Sequence, residues 1–384
     1  MNEWEEYKIS DIADVIGGGT PSTSNSSYWN GNIPWLTPRD LTGYSKIYIS
    51  KGERNITSDG LRNSAAKLLP KGTVLLTSRA PIGYVAIAKN EISTNQGFKS
   101  LILKEDYANS EFVYYWIRSN IDYLQSIGTG TTFAEISGSV VKEISISLPS
   151  ISLQKSISSI LSSLDDKIDL LHRQNATLEK MAETLFRQWF VEEAKEEWGT
   201  GKLGDEFDLT MGASPPGESY NEEGFGIPMY QGNADFGFRF PTNRVFTADP
   251  KRFAEKYDTL VSVRAPVGEQ NMANERCCIG RGVASFRFKK DNSFYTYTYY
   301  KMKSLMNDIK QFNETGTVFG SISKSDFENI EIVIPDKISI HKFQNEAKPI
   351  DDKITTNTIQ VRTLTSLRDT LLPKLMSGKV RVEM

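Results

Sequence analysis

From Ile157 onward, apolar positions recur at alternating spacings of four and three through Leu161, Leu164, Ile168, Leu171, Asn175, Leu178, Ala182, Leu185 and Trp189. That spacing is the seam of a long helix that packs against another helix. A second stripe runs through Phe343, Ala347, Ile350, Ile354, Asn357, Val361, Leu364, Arg368, Leu371 and Leu375. At about 1.5 Å of rise per residue each helix reaches roughly 50 Å. Pro149 and Pro335 stand just ahead of the two stripes, where proline does no harm. The stripes predict an antiparallel coiled coil made within one chain, with Asn175 and Asn357 fixing register at some cost in stability. The alternative is that each helix packs only on its own globular neighbour.

Between the stripes the pattern changes period. Gly72–Ser78, Tyr84–Ala88, Glu143–Leu148, Phe286–Phe288 and Glu328–Ile334 read as short strands. The aromatic stretches Phe112–Ile117 and Phe294–Leu305 read as short helices. The fold class expected is α+β: β-rich bodies over residues 1–150 and 198–335, and helices over residues 151–197 and 336–384.

The chain is also written twice. Thr129-Gly-Thr-Thr-Phe133 returns as Thr315-Gly-Thr-Val-Phe319, and Asp165-Asp-Lys-Ile168 returns as Asp351-Asp-Lys-Ile354, both at an offset of 186 that holds for some 60 residues. Upstream the match loosens: Ser78-Arg-Ala-Pro-Ile-Gly83 faces Val263-Arg-Ala-Pro-Val-Gly268, and Ile33-Pro-Trp35 faces Ile227-Pro-Met229. Each half is therefore a variable body followed by a better-matched tail, one task performed on two different targets.

Composition narrows the task. The 384 residues suffice for two cores, and no apolar run approaches the roughly 20 residues of a membrane span. The acidic start (Glu3, Glu5, Glu6) is not that of a signal peptide. Two adjacent cysteines, Cys277 and Cys278, make a poor disulfide, so a reduced, cytoplasmic protein is expected. Residues 1–150 hold 14 Lys+Arg against 15 Asp+Glu, and residues 201–335 hold 16 against 18. Neither body is basic overall, so any nucleic-acid affinity must come from a local face.

Catalytic chemistry is not signalled. There is no phosphate-binding loop, and Gly17-Gly18-Gly19 reads as a turn. Ser214-Pro-Pro-Gly217 lacks the polar and aromatic residues of an amino-methyltransferase signature. The repeated Asp-Asp-Lys falls inside the helices, its charges expected on the solvent side of the seam. His172 and His341 are expected at helix surfaces, Cys277 and Cys278 in packing, and no metal site is expected.

Two variable bodies on matched helical tails resemble the specificity (S) subunit of type I restriction–modification systems. The carriers are Gly19–Ser22, Ile33–Leu36, Ser78–Gly83, Thr94-Asn95-Gln96-Gly97 facing Ile279-Gly280-Arg281-Gly282, and the closing Leu371–Lys379. The resemblance spans the whole chain. It implies a non-enzymatic reader of double-stranded DNA in which two target recognition domains in tandem each bind half of a bipartite sequence. It further implies helices that space these domains and dock two modification (methyltransferase) subunits. S-adenosylmethionine, ATP and magnesium would belong to partner subunits, among them an ATP-dependent restriction subunit, and no cofactor is expected on this chain. Alternatives are a coiled-coil adaptor whose bodies bind protein or glycan, and a reader from a related DNA-defence system.

Base reading favours Arg or Lys on guanine and Asn or Gln on adenine. The candidates are Thr20, Trp35, Thr37, Arg39, Arg79, Asn95, Gln96 and Lys99 in the first body. In the second they are Tyr230, Gln231, Asn233, Arg239, Arg264 and Arg281. Arg79 and Arg264 occupy the same place in both copies and cannot distinguish two targets, so they are expected on phosphate or in support of the fold.

Overall fold

A computed structural model describes residues 4–130, 134–315 and 321–382. The parts of the repeated loop at Thr131–Phe133 and Gly316–Phe319 lie outside the described residues. The chain forms two compact units, Met1–Leu170 with Val361–Met384, and Leu171–Gln360.

In the first unit a sheet runs in the order Ala13–Gly17, Phe98–Leu103, Val74–Ser78, Ile82–Ala88, Tyr48–Ile49. A smaller sheet orders Arg54–Ile56, Trp29–Leu36 and Ser93–Thr94, the last pair being parallel. The strand Glu5–Lys8 pairs with Ser145–Leu148. On one face of the large sheet lies the helix Ser110–Ser119, started by the Asn109 side chain, which accepts from the Phe112 N–H. Its Phe112, Val113, Tyr115 and Ile117 join Val74, Leu76, Ile87 and Leu101 in one core. Into the same core come Leu153, Ile157 and Leu161 of the central helix (Ile151–Arg187) and Leu372, Leu375 and Met376 of the C-terminal helix (Lys337–Met376). Each such buried side chain contributes about 1.5–3 kcal/mol.

The second unit repeats the plan. Its four-stranded sheet orders Phe207–Met211, Val283–Phe288, Thr259–Ser262 and Gln270–Met272. Its second sheet contains Ile227–Tyr230 parallel to Cys277–Ile279, and Gly199–Lys202 pairs with Glu331–Ile334. The helix Tyr295–Ser304 buries Tyr297, Tyr300 and Met302 among Phe207, Phe286, Phe288, Ala182, Phe186, Phe343 and Ala347. Cys277 and Cys278 are free, buried strand residues, and burial pushes the Cys277 thiol up.

Within each unit the helical segments run antiparallel. In the first, Arg368 meets Asp165 at 2.6 Å. In the second, the Phe186 and Phe343 rings lie 5.4 Å apart edge to face, and the Asn175 amide donates to Thr358 Oγ1 at 3.3 Å. Asn357 donates to Gln174, so both seam asparagines are buried and paired across the helices. Each helix packs on its partner and on a body at once, so the helix pairing holds and the alternative of packing on the body alone does not.

The predicted seam needs correction at six places. Leu164, Leu178 and Leu185 of the central helix, Trp189 just past its end, and Ile350 and Leu371 of the C-terminal helix are only half-buried, whereas Asp165, Glu179, Phe186, Phe190, Asp351 and Leu372 are buried one position further on. Buried positions of the central helix recur mostly at fours, close to the period of a straight helix rather than the 3.5 of a supercoil. The first Asp of the repeated Asp-Asp-Lys is likewise buried, at 8% exposure for Asp165 and 3% for Asp351, not solvent-facing. Of the other seam residues, Ile157, Leu161, Ile168, Leu171 and Ile354 are buried, and Val361 and Leu364 are half-buried. His172 and His341 are exposed. Among the described residues no helix is long and apolar enough to cross a membrane.

Candidate nucleic-acid interface

The same backbone hydrogen bonds build a loop cluster in each unit. In the first, Gly19 N–H donates to Thr94 O, Asn95 N–H to Leu36 O, Ser78 N–H to Gly97 O and Ile136 N–H to Ser78 O. In the second, Ala213 donates to Ile279 O, Gly280 to Tyr230 O, Val263 to Gly282 O and Ile322 to Val263 O. Both frames include a cis peptide, Ala80–Pro81 and Ala265–Pro266. Backbones pass so closely that side chains would collide: a Cβ on Gly18 would sit 2.1 Å from Asn95 O, and one on Gly212 2.1 Å from Gly280 O. The Gly17–Gly19 run is therefore a close passage at a strand end rather than the turn predicted for it.

On the second frame opens a cleft of about 420 Å³ lined by Ser214, Gln231, Asn233, Arg244, Arg264 and Arg281. Asp235, 5% exposed, shapes its wall by accepting from the Gln231 N–H at 2.8 Å and from Arg244 Nη2 at 2.6 Å. Arg281 Nε donates to Ser214 Oγ at 3.1 Å. Gln231, Asn233, Arg264 and Arg281 are exposed, and neither Arg264 nor Arg281 has an acidic partner among the described residues. Exposed guanidinium and amide donors held by a rigid frame suit polar base edges and phosphate oxygens.

The first frame presents a different surface. Thr20 donates to Gln96 Oε1, and both residues are exposed, as is Arg39. Asn95 Oδ1 is occupied by the Gly97 N–H at 2.8 Å, and Thr37 caps the short turn Pro38–Leu41 together with Asp40. Glu135 lies 3.2 Å from Lys99 Nζ and 3.7 Å from Arg79 Nη1.

A match to the "Type I restriction modification DNA specificity domain" covers residues 1–180 and again 195–361. The chain belongs to this family. It is 35% identical to the type I restriction enzyme MjaIX specificity subunit of Methanocaldococcus jannaschii, over 99% of this chain and 94% of that one. It is 24% identical to the type I restriction enzyme HindI specificity subunit of Haemophilus influenzae, over 99% of this chain and 100% of that one. A crystal structure of the S subunit from M. genitalium has the same fold, with a TM-score of 0.66 at 21% identity over 97% of this chain and 96% of that one. These relatives are named as specificity subunits, in keeping with a chain that is itself no enzyme.

Three base-reading candidates of this type I specificity chain are structural. Trp35 is 3% exposed, packs on Trp29 and Ile56, and donates its indole N–H to Gly19 O at 2.9 Å. Tyr230 is fully buried, with its hydroxyl on Asn243 at 2.6 Å. Arg239 is 1% exposed: its guanidinium bonds Glu179 and the Tyr300 hydroxyl (2.9 Å), lies 3.0 Å from Asp351 and covers the Tyr299 ring at 3.8 Å. It therefore holds its own loop onto both helical segments of its unit. Burial pushes the Asp351 carboxyl up, with Arg239 pulling against it. Large residues in such a loop look alike in sequence whether they point out or in.

Sequence reasoning missed Arg244, Ser214, Asp235 and Glu135. Glu135 carried a signal, since it sits in the ungapped repeat opposite Ser321. Arg244 carried none: its loop stands where residues 37–53 stand in the first half, between strands of matching register, but the two loops share no sequence motif.

Proposed function

We propose that this chain is the DNA-reading subunit of a type I restriction–modification complex, each body reading one half of a bipartite double-stranded target. The observation that carries this reading is the pairing of two identical backbone frames with unlike polar side chains: Thr20, Arg39 and Gln96 on one, Gln231, Asn233 and Arg281 on the other. Frames anchored by matching backbone hydrogen bonds leave the exposed side chains they carry free to differ between targets.

The helical tails serve as spacer and as dock for two modification subunits. Their better-matched sequence supports gripping one partner twice, and exposed Met181 and Leu367 occupy equivalent places in the two copies. S-adenosylmethionine would bind the modification subunits, and ATP and magnesium the restriction subunit.

Methylation mapping of genomic DNA from cells with and without the chain tests the proposal. One bipartite motif is expected to vanish on deletion, and exchange of residues 1–150 for those of a relative is expected to change one half of it. An unaltered methylation pattern, or a change in both halves, would overturn the reading.

A further inference from the structure

Arg79 and Arg264 occupy the same position of the repeated frame, and each forms a backbone bridge to the loop that precedes the body's last short helix (Gly138–Glu143 in the first, Lys324–Glu328 in the second), Arg79 with Glu135 and Arg264 with Ser321. The bridges match; the side chains do not. In the first body the Glu135 carboxylate sits between two cations, 3.2 Å from Lys99 Nζ and 3.7 Å from Arg79 Nη1. In the second, Ser321 carries no charge, and Lys99 is replaced by Ala284, as the strand registers Gly17↔Lys99 and Met211↔Ala284 show. The acid and its lysine are thus present together in one copy and absent together from the other.

Electrostatic affinity for DNA counts the cations free to neutralise phosphates. A carboxylate already beside Arg79 and Lys99 competes with phosphate for both, whereas Arg264 has no such competitor among the described residues. Glu135 is not sealed away: its side chain is 38% exposed and that of Arg79 35%, so this pair stands at the surface that DNA would approach, with Lys99 more enclosed at 15%. Resting on the DNA-reading proposal, we infer that Glu135 is a specificity-determining residue of the first half, withholding Arg79 and Lys99 from the phosphate backbone. The first body then depends on base contacts, while the second retains a sequence-independent grip through Arg264.

The test is a reciprocal exchange in the assembled complex: Glu135→Ser, Glu135→Gln and Ser321→Glu. Binding is measured against a duplex carrying the mapped motif and a random-sequence duplex of equal length, at about 50 and 200 mM salt. Each phosphate contact adds about 0.9 to the log–log salt slope, roughly a threefold loss of affinity over that range. Both Glu135 variants should bind both duplexes more tightly and lose up to about tenfold more affinity between the two salt concentrations. Ser321→Glu should lose about threefold less. Glu135→Gln keeps the side chain's shape, and Ser321→Glu perturbs the other body, so a folding defect in one variant cannot account for opposite shifts. Unmoved salt slopes, or a loss confined to the motif duplex, would overturn the inference and leave DNA reading intact. Failure of the wild-type complex to retain either duplex would overturn both.

Discussion

Replacing Arg239 separates a structural role from a reading role. Arg239→Ala removes a buried guanidinium and leaves Asp351, 3% exposed, with the Thr296 hydroxyl and Glu179, 8% exposed, with the Lys303 ammonium as their remaining partners. Breaking a buried ion pair from one side costs about 3–5 kcal/mol, a large share of the roughly 5–15 kcal/mol that holds a domain folded. Lys at 239 cannot span both acids, having no planar fork, and should recover only part of the loss. The triple variant Arg239→Met, Glu179→Gln, Asp351→Asn should return to within about 2 kcal/mol of the parent, because the charges leave together. Lys303 then keeps Glu183, which lies 3.3 Å from its ammonium. Hydrogen exchange resolved by peptide is the assay. Amides of residues 171–360 should lose protection in Arg239→Ala, and those of residues 4–130 should not. Unchanged protection together with lost DNA binding would refute this reasoning and restore Arg239 as a reader.

Acid should loosen the second unit through Asp336, whose carboxylate accepts from Lys195 at 2.9 Å, the Ser339 N–H at 2.8 Å and the Trp198 indole at 2.8 Å. Those bonds hold its pKa below the ordinary 3.8, so the stabilisation is complete above that value and fades as pH falls beneath it. Asp336→Asn should flatten the acid limb of a urea-midpoint profile. The side-chain carbonyl oxygens of buried Asn175 and Asn357 have no hydrogen-bond partner among the described residues, so leucine at both sites should raise unfolding free energy by about 1–3 kcal/mol in urea titrations. Arg281→Ala should cost about 1–3 kcal/mol on the methylated motif alone. Arg264→Ala should instead weaken binding to all duplexes and reduce the salt slope by about 1.

Periodicity made much of the fold legible. The two long helices and the strand at Ser145–Leu148 follow from spacing, since burial on one face leaves a repeat in the chain, whereas the helix Ser110–Ser119 is marked by its aromatic density alone. The seam failed where ion pairs replaced apolar contacts: Asp165 and Glu179 are buried because Arg368 and Arg239 reach them. A polarity pattern cannot register a charge whose partner lies 60 residues away or more. The same blindness put Arg239 among the readers and left Arg244 out, for loop direction is set by tertiary contacts such as Asp235 with Gln231 and Arg244.

Duplication of a frame does more than duplicate a site. At position 78 the N–H that reaches Gly97 belongs to a serine, and at position 263 the N–H that reaches Gly282 belongs to a valine. The backbone makes that bond in both copies, the Ser78 hydroxyl only adding a longer one to the same Gly97 oxygen at 3.3 Å, so the side chain at that position can change while the loop stays anchored. What cannot change are the glycines at the closest passages, Gly18 and Gly212, where any Cβ would meet a carbonyl oxygen. Invariance and variation are thus assigned by physics to different atoms of neighbouring residues. A surface built this way can exchange Glu135 for Ser321, or Gln96 for Arg281, and alter its electrostatics without refolding, which is what two unlike targets on one chain require.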